Sequence, residues 1–357
     1  MIDDRVYIIA EAGVNHNGDE GMAFELVDVA VSAGADAIKF QTFKTENIVT
    51  QYAEKAEYQK GISDNVESQF SMLKKLEMSD SMHHQVVRYC KDKKIDFLST
   101  AFDEESLLFL INTVGVSTLK VASGEITNGP LLYEHALSGK KIILSTGMST
   151  IQEIRTALGV LAYGYSGGQQ PSVQAFDQAY QSSQSRILLN DNVTLLHCTS
   201  EYPAPVADIN LRAMDTLSEV FNLPVGYSDH SEGITIPIAA VARGAKVIEK
   251  HITLDRQLPG PDHKASLEPD ELRNMVSSIR DVEVALGDGD KVPRGCELNT
   301  REVARKSIVA KTSIQRGDKF TSKNIQIKRP GIGISPMKYW GILGEESNKD
   351  YDVDDLI

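Results

Sequence analysis

The sequence predicts an α/β protein: a (β/α)8 TIM barrel followed by a small, mostly β domain. Three observations carry this. Eight short β-rich runs alternate with helically spaced segments, and strands interleaved with helices imply a parallel sheet, because parallel strands need long crossover connections. The chain is 357 residues long, which suits a barrel of ~250 residues with decoration and a second domain. The Gly-rich GxGxxG turn of an open dinucleotide-binding sheet is missing after the first strand, where the chain reads Glu11-Ala12-Gly13-Val14-Asn15-His16-Asn17-Gly18.

Strands are expected at Val6–Ala10, Ala35–Gln41, Asp96–Thr100, Ser117–Ala122, Lys140–Ser145, Val193–Thr199, Pro224–Ser228 and Ala245–His251. The first helix starts at Asp19, a residue able to cap orphan amides. It carries Met22, Leu26, Val27 and Ala30 on one face and stops at Gly34. Residues 44–70 read as a long polar connection of the kind that forms lids or binding loops. Residues 166–185, rich in Gln and Ser, read as a surface insertion without chemistry. Composition shifts near Gly287, dividing the chain into a catalytic barrel over 1–287, a linker over 288–300 and a β domain over 301–357. A core that small is marginal alone and calls for packing against the barrel or a second subunit.

The 41% apolar and 24% charged composition is that of a globular protein. With 37 Lys and Arg against 50 Asp and Glu the net charge is −13, which argues against nucleic-acid or anionic-membrane partners. An anionic substrate must therefore be held by a local cluster of cations. Cys90, Cys198 and Cys296 are widely spaced, odd in number and without a CxxC pair, which fits a reducing compartment. The apolar stretch Ile234–Val241 is far short of the ~18 residues a membrane helix needs. No basic-then-apolar leader precedes Val6. A cytoplasmic protein is expected.

Strand side chains alternate, so residues two apart share a face. Lys39 and Gln41 then point into the barrel while Ile38 and Phe40 meet the helices; Gly226, Ser228 and His230 share a face, as do Val247, Glu249 and His251. Glu11, Thr100, Lys120, Ser145, His197 and Thr199 fall near the ends of the remaining strands. In a barrel those C-terminal ends converge on the mouth where active sites lie. Lys39 alone reads as a solvated rim residue, but Lys39 with Lys120 reads as an anion site. His230 and His251 are either hydrogen-bonded structural residues or the shared ligands of one divalent metal, with Glu11 or Asp262 completing the shell. Ser145 and Ser228 suit helix capping and phosphate binding alike. His83 and His84 read as surface residues, and His135 and His263 are open.

These motifs resemble, in order and over nearly the whole chain, the sialic-acid synthase family. They are Ala10–Gly18, Lys39-Phe40-Gln41-Thr42-Phe43, Ser123-Gly124-Glu125, Leu144-Ser145-Thr146-Gly147-Met148, Gly226-Tyr227-Ser228-Asp229-His230 and Pro259-Gly260-Pro261-Asp262-His263. Lys328-Arg329-Pro330-Gly331 resembles the marker of that family's antifreeze-like (SAF) domain. The resemblance implies a metal-dependent condensation of phosphoenolpyruvate (PEP) with an N-acetylated mannose-type sugar, manganese being the usual metal, held at His230 and His251. It implies PEP binding by Lys39, Thr100, Lys120, Ser123, Ser145 and Ser228, and sugar and metal contacts at Glu11, Gln41, Tyr202 and Asp262. Glu125 is implied in water or proton handling, and Arg329 in reaching a neighbouring subunit's site within a domain-swapped homodimer.

The family's Ser-Thr-Pro-Phe is Ser99-Thr100-Ala101-Phe102 here, and loss of the proline relaxes the backbone that places Thr100. Cys198-Thr199-Ser200-Glu201-Tyr202-Pro203, which adds Ser200 to the substrate-side residues, looks closer to the N,N′-diacetyllegionaminate synthases. Their acceptor is a 2,4-diacetamido-2,4,6-trideoxymannose. Glu57-Tyr58-Gln59 and Arg305-Lys306-Ser307-Ile308 resemble instead the bacterial N-acetylneuraminate synthases, which take N-acetylmannosamine. The rivals are a Schiff-base aldolase using Lys39 or Lys120, a metal-dependent hydrolase that leaves both lysines idle, and a catalytically dead sugar-binding or scaffold protein.

Overall fold

The computed structural model describes residues 5–51, 53 and 68–357. They form two compact units that divide between Gly287 and Asp288. In the first, β1 (Tyr7–Gly13), β2 (Ala37–Thr42), β3 (Asp96–Ala101), β4 (Thr118–Val121), β5 (Lys141–Ser145), β6 (Val193–Cys198), β7 (Val225–Asp229) and β8 (Val247–His251) pair in that order. All are parallel, and β8 closes on β1 as a (β/α)8 barrel. Each of the eight expected strands is present, its ends displaced by no more than a few residues.

The alternation read from the sequence sorts the two faces. Ile8, Ala10, Ile38 and Phe40 join the shell between strands and helices. Ile9, Ala37, Leu98, Ile143, Leu196 and Val247 plug the barrel interior. Two residues further along the strands the inward positions turn polar, so the upper half of the barrel is a site resting on an apolar floor. His197 departs from its expected place at the mouth: its Nε2 meets the Ile209 carbonyl at 2.6 Å and its ring packs near Tyr227, on the outer side.

The first helix, Glu20–Ala33, is built as expected: the Asp19 carboxylate accepts from the Met22 amide, and Gly34 takes φ 81° at its end. The described residues of the stretch 44–70 are partly helical. Thr45–Ile48 is helical, and a further helix, Gln69–Leu76, buries Met72 and Leu76 with Val14 and Phe43. Glu57-Tyr58-Gln59 lies outside the described residues. The Gln- and Ser-rich stretch forms the helix Val173–Gln181 and the start of Ser183–Asn192. Phe176, Ala179 and Tyr180 of the former pack against the barrel's helical shell. His83 is a correction: it is buried, because its Nε2 meets Thr42 Oγ1 at 2.8 Å and its Nδ1 the Ser79 carbonyl at 3.0 Å. His84 is exposed. His135 and His263 are buried and bonded to the Leu131 carbonyl and Thr253 Oγ1.

In the second unit, Ser307–Ala310 and Ile325–Lys328 form a two-stranded antiparallel sheet, preceded by a helix at Leu298–Ala304. Its core is Ile308, Ala310, Ile314, Phe320, Ile325, Ile342 and Tyr351. Among the described residues no helix is long and apolar enough to cross a membrane.

Candidate active site

At the C-terminal mouth of the barrel a cavity of about 630 Å³ collects the residues that alternation placed inward. Strand register explains the collection. Glu11 lies opposite Lys39 and His251, Gln41 opposite Thr100, Thr100 opposite Lys120, and Ser228 opposite Glu249. A wider groove of about 980 Å³ lies elsewhere, lined by Leu108, Tyr133, Val173, Phe176 and a row of acidic residues. Among the described residues its lining includes no cation or imidazole.

One side of the cavity is a buried ion cluster. Lys39 Nζ lies 2.5 Å from Glu11 Oε2 and 3.7 Å from Glu249 Oε2, and donates to Thr100 Oγ1 at 3.0 Å. Lys120 Nζ lies 3.1 Å from Glu249 Oε1, which also accepts from Ser228 Oγ at 2.8 Å. Burial pushes the Glu249 carboxyl up, but the Lys120 and Lys39 ammonium groups outweigh it and hold Glu249 well below the usual carboxylate range. Glu11 goes the other way. Burial raises it to about 7, Lys39 opposing and the Glu249 charge adding. Lys39 is raised, its burial outweighed by Glu11 and Glu249.

Beside this cluster the hydroxyls form a small cradle. Ser123 Oγ donates to Ser145 Oγ at 2.8 Å and accepts from the Gly147 amide at 3.1 Å. A Cβ on Gly147 would come within 2.3 Å of Ser200 Oγ and 2.7 Å of Ser123 Oγ, so only glycine lets the backbone approach these hydroxyls. Gly13 plays a similar part opposite. Its φ is 53°, and a Cβ there would meet Glu11, Asp262 and Gln41 side chains at 3.3–3.4 Å.

The other side is built from imidazoles. The His230 and His251 ring centroids are 5.6 Å apart; Tyr202 stacks on His230 at 4.0 Å and meets His251 edge-on at 5.6 Å. His230 Nδ1 donates to the Thr199 carbonyl at 2.7 Å, so Nε2 is the nitrogen that could bind a metal once its proton is lost; against burial, the neighbouring Cys198 raises the His230 pKa. Among the described residues His251 Nδ1 has no hydrogen-bond partner; it is buried, 3.9 Å from Asp262 Oδ2. Burial, with the charges of His230 and Lys39, holds His251 well below its ordinary value and so neutral. Burial alone raises Asp262 to about 6 against the pull of His230 and Lys39. A neutral imidazole with an orphan nitrogen beside one fixed by a carbonyl is the donor set of a borderline divalent cation. Among the described residues no group of three His, Cys, Asp or Glu side chains is arranged to hold a metal. His230 and His251, with ring centroids 5.6 Å apart, are the two residues here that could hold one.

The family follows from comparison with known proteins. The NeuB family pattern matches residues 26–291. The chain belongs to the NeuB family. It is 46% identical over 353 residues to the N,N′-diacetyllegionaminic acid synthase of Campylobacter jejuni, covering 99% of both chains. It is 46% identical over 338 residues to the enzyme of that name from Legionella pneumophila, covering 95% of this chain and 89% of that one. Among solved structures it is similar to the N-acetylneuraminic acid synthetase of Leptospira borgpetersenii, at 36% identity and a TM-score of 0.66, over 83% of this chain and 90% of that one. This NeuB protein is therefore an enzyme, a synthase of the sialic and legionaminic acid class.

The cavity lining includes Glu11, Lys39, Gln41, Thr100, Phe102, Lys120, Ser123, Ser145, Ser200, Tyr202, Ser228, His230, His251 and Asp262. One expected residue is elsewhere. Glu125 ends a short 3-10 turn, its carboxylate accepting from Asn128 Nδ2 at 2.8 Å, and does not line the cavity. Arg329 is exposed in the second unit. Two residues carry more than the sequence reading gave them. Glu249 joins both lysines, and Cys198 Sγ lies 3.7 Å from His230 Nδ1. His230 and Lys120, working against burial, draw that thiol down to about 7. The inward spacing of Glu249 with His251 was the available signal for it; none marks Cys198.

Proposed function

We propose that this NeuB enzyme condenses PEP with 2,4-diacetamido-2,4,6-trideoxymannose to give N,N′-diacetyllegionaminate and inorganic phosphate, with a divalent metal, manganese by resemblance, at His230 and His251. The observation that carries the reading is the juxtaposition in one cavity of two buried lysines with a hydroxyl cradle and a two-imidazole donor pair. An acyclic sugar aldehyde and a phosphorylated enol need those two kinds of group together.

In the reaction, C3 of PEP bonds to the aldehyde carbon, whose oxygen takes up a proton. Water adds to C2 and gives up a proton. The C2–O bond then breaks, and phosphate leaves as the 2-keto group forms. When bound, the metal supplies Lewis-acid polarisation of the aldehyde. Lys39, Lys120, Thr100, Ser123, Ser145 and Ser228 hold the PEP phosphate and carboxylate; such fixed donors stabilise developing charge better than water does. Glu11, a lining carboxyl raised to about 7, is suited to exchange protons near neutrality and takes the part implied for Glu125. Gln41, Tyr202 and Asp262 hold the sugar. Arg329, exposed beside Pro330, is the residue a second protomer would contribute in a domain-swapped homodimer.

Two observations favour the legionaminate acceptor. The two relatives at 46% identity bear that name. Val14, Met72, Leu73, Leu76 and Met148 give the cavity an apolar edge, which suits a C6 methyl group better than a hydroxymethyl. PEP carrying oxygen-18 in its bridging position tests the bond cleavage. The label is expected in the released phosphate, and its retention in the sugar acid contradicts C–O cleavage.

A further inference from the structure

We propose that the buried Asp229–Lys250 ion pair is a positioning device that fixes the spacing of His230 and His251. The proposal rests on the reading that these imidazoles hold a divalent metal. β7 and β8 pair with Ser228 opposite Glu249 and Asp229 opposite Lys250. Alternation sends Ser228 and Glu249 into the cavity, and so sends Asp229 and Lys250 to the outer face. On the other strands that face carries Ile8, Ala10, Ile38, Phe40 and Leu144. Here it carries an acid 1% exposed and a lysine 0% exposed.

Each polar atom of the pair is engaged. Lys250 Nζ lies 2.5 Å from Asp229 Oδ2 and also donates to the Ser231 carbonyl. Asp229 Oδ1 accepts from the Ser231 amide at 3.0 Å, Ser231 Oγ at 2.8 Å and Tyr227 OH at 3.0 Å. The network therefore clamps the chain just before and just after His230 to the residue that precedes His251. None of its atoms lines the cavity.

Stability does not account for the pair. Desolvating two charges roughly cancels their attraction, and well-packed apolar residues of similar size often do as well or better. What an apolar pair cannot do is bind both the amide and the carbonyl of Ser231, and so hold the turn that aims His230. Outer-shell groups of this kind govern how tightly a metal is held.

The test is Mn²⁺ binding to the full chain without substrate, read from the electron paramagnetic resonance of free Mn²⁺, alongside thermal melting. Asp229→Leu with Lys250→Met is expected to melt near the wild type yet bind Mn²⁺ roughly 10- to 100-fold more weakly. Ser231→Ala, a smaller change that keeps the pair, is expected to weaken binding roughly three- to tenfold. Folded variants that bind within twofold of wild type overturn the proposal. Should the double variant not fold, Ser231→Ala decides alone. If the wild type itself binds no Mn²⁺, the metal reading fails, and the His230 ring N–H resonance in metal-free protein decides the positioning role. Its loss in the variants supports the clamp, and its persistence overturns it.

Discussion

The ion cluster and the imidazole side of the mouth hold their charge in opposite ways. Lys39, Lys120, Glu11 and Glu249 form a closed set in which each lysine sits against a carboxylate. Across the cavity, His251 is kept neutral, and its buried Nδ1 has no hydrogen-bond partner among the described residues. Both lysines are already ion-paired, although Glu11 Oε2 and Glu249 Oε2 lack a hydrogen-bond partner among the described residues; on the proposed reading an incoming phosphate competes with these carboxylates for the lysines. The imidazole side keeps one nitrogen open. On that reading anion recognition is an exchange of partners, whereas a metal would fill a position already prepared.

The sharpest way to break that contrast is to remove one cation from the closed set. Lys120→Met leaves Glu249 buried without its nearest charge. It is expected to lower kcat/KM for PEP by on the order of 10³-fold and to destabilise the fold by roughly 3–5 kcal/mol. Adding Glu249→Gln should restore most of the stability and none of the PEP activity; steady-state kinetics and urea unfolding check both. Recovery of activity in the double variant would show that Lys120 serves only the ion pair.

On the imidazole side, His251→Ala is expected to abolish metal-stimulated turnover while circular dichroism and melting stay close to wild type. Full activity of the wild type in chelator-treated buffer contradicts the metal role.

The smallest effect concerns pH. Glu11 has a folded pKa of about 7 against an ordinary 4.5, so the native state binds this proton more tightly than the unfolded chain does. Its contribution to stability is therefore fully present below pH 4.5 and declines as pH rises through 7, by on the order of 3 kcal/mol. Glu11→Gln should flatten that decline in metal-free urea titrations between pH 5 and 7.5. Asp262 shifts in the same direction and remains in both proteins. Glu249, depressed, stabilises above its unfolded value and loses this only as pH falls below 4.5, outside the window. An unchanged slope in the variant contradicts the assignment.

Much of this was legible before the fold was known, because a barrel turns two-residue alternation directly into an inside and an outside. That rule put Lys39, Gln41, Ser228 and His251 at one mouth. It could not reveal who pairs with whom. Glu249 meets Lys120 across 129 positions of chain, a separation no local pattern encodes. The burial of Asp229 and Lys250 has no signal in the sequence, since burial on the outer face depends on helices packed from elsewhere. His83 read as surface because its helix is polar. Hydrogen bonds to Thr42 and Ser79 satisfy both ring nitrogens, so it can be buried against Phe109. The helix Gln69–Leu76 was hidden because Met72, Leu73 and Leu76 sit among Ser, Gln and Lys, and their apolar face has meaning only against Val14 and Phe43.

The most direct test of the account is phosphate release from PEP with Mn²⁺, comparing 2,4-diacetamido-2,4,6-trideoxymannose with N-acetylmannosamine. The apolar edge formed by Val14, Met72, Leu73, Leu76 and Met148 predicts at least a tenfold higher kcat/KM for the diacetamido sugar. Equal or faster turnover with N-acetylmannosamine contradicts it.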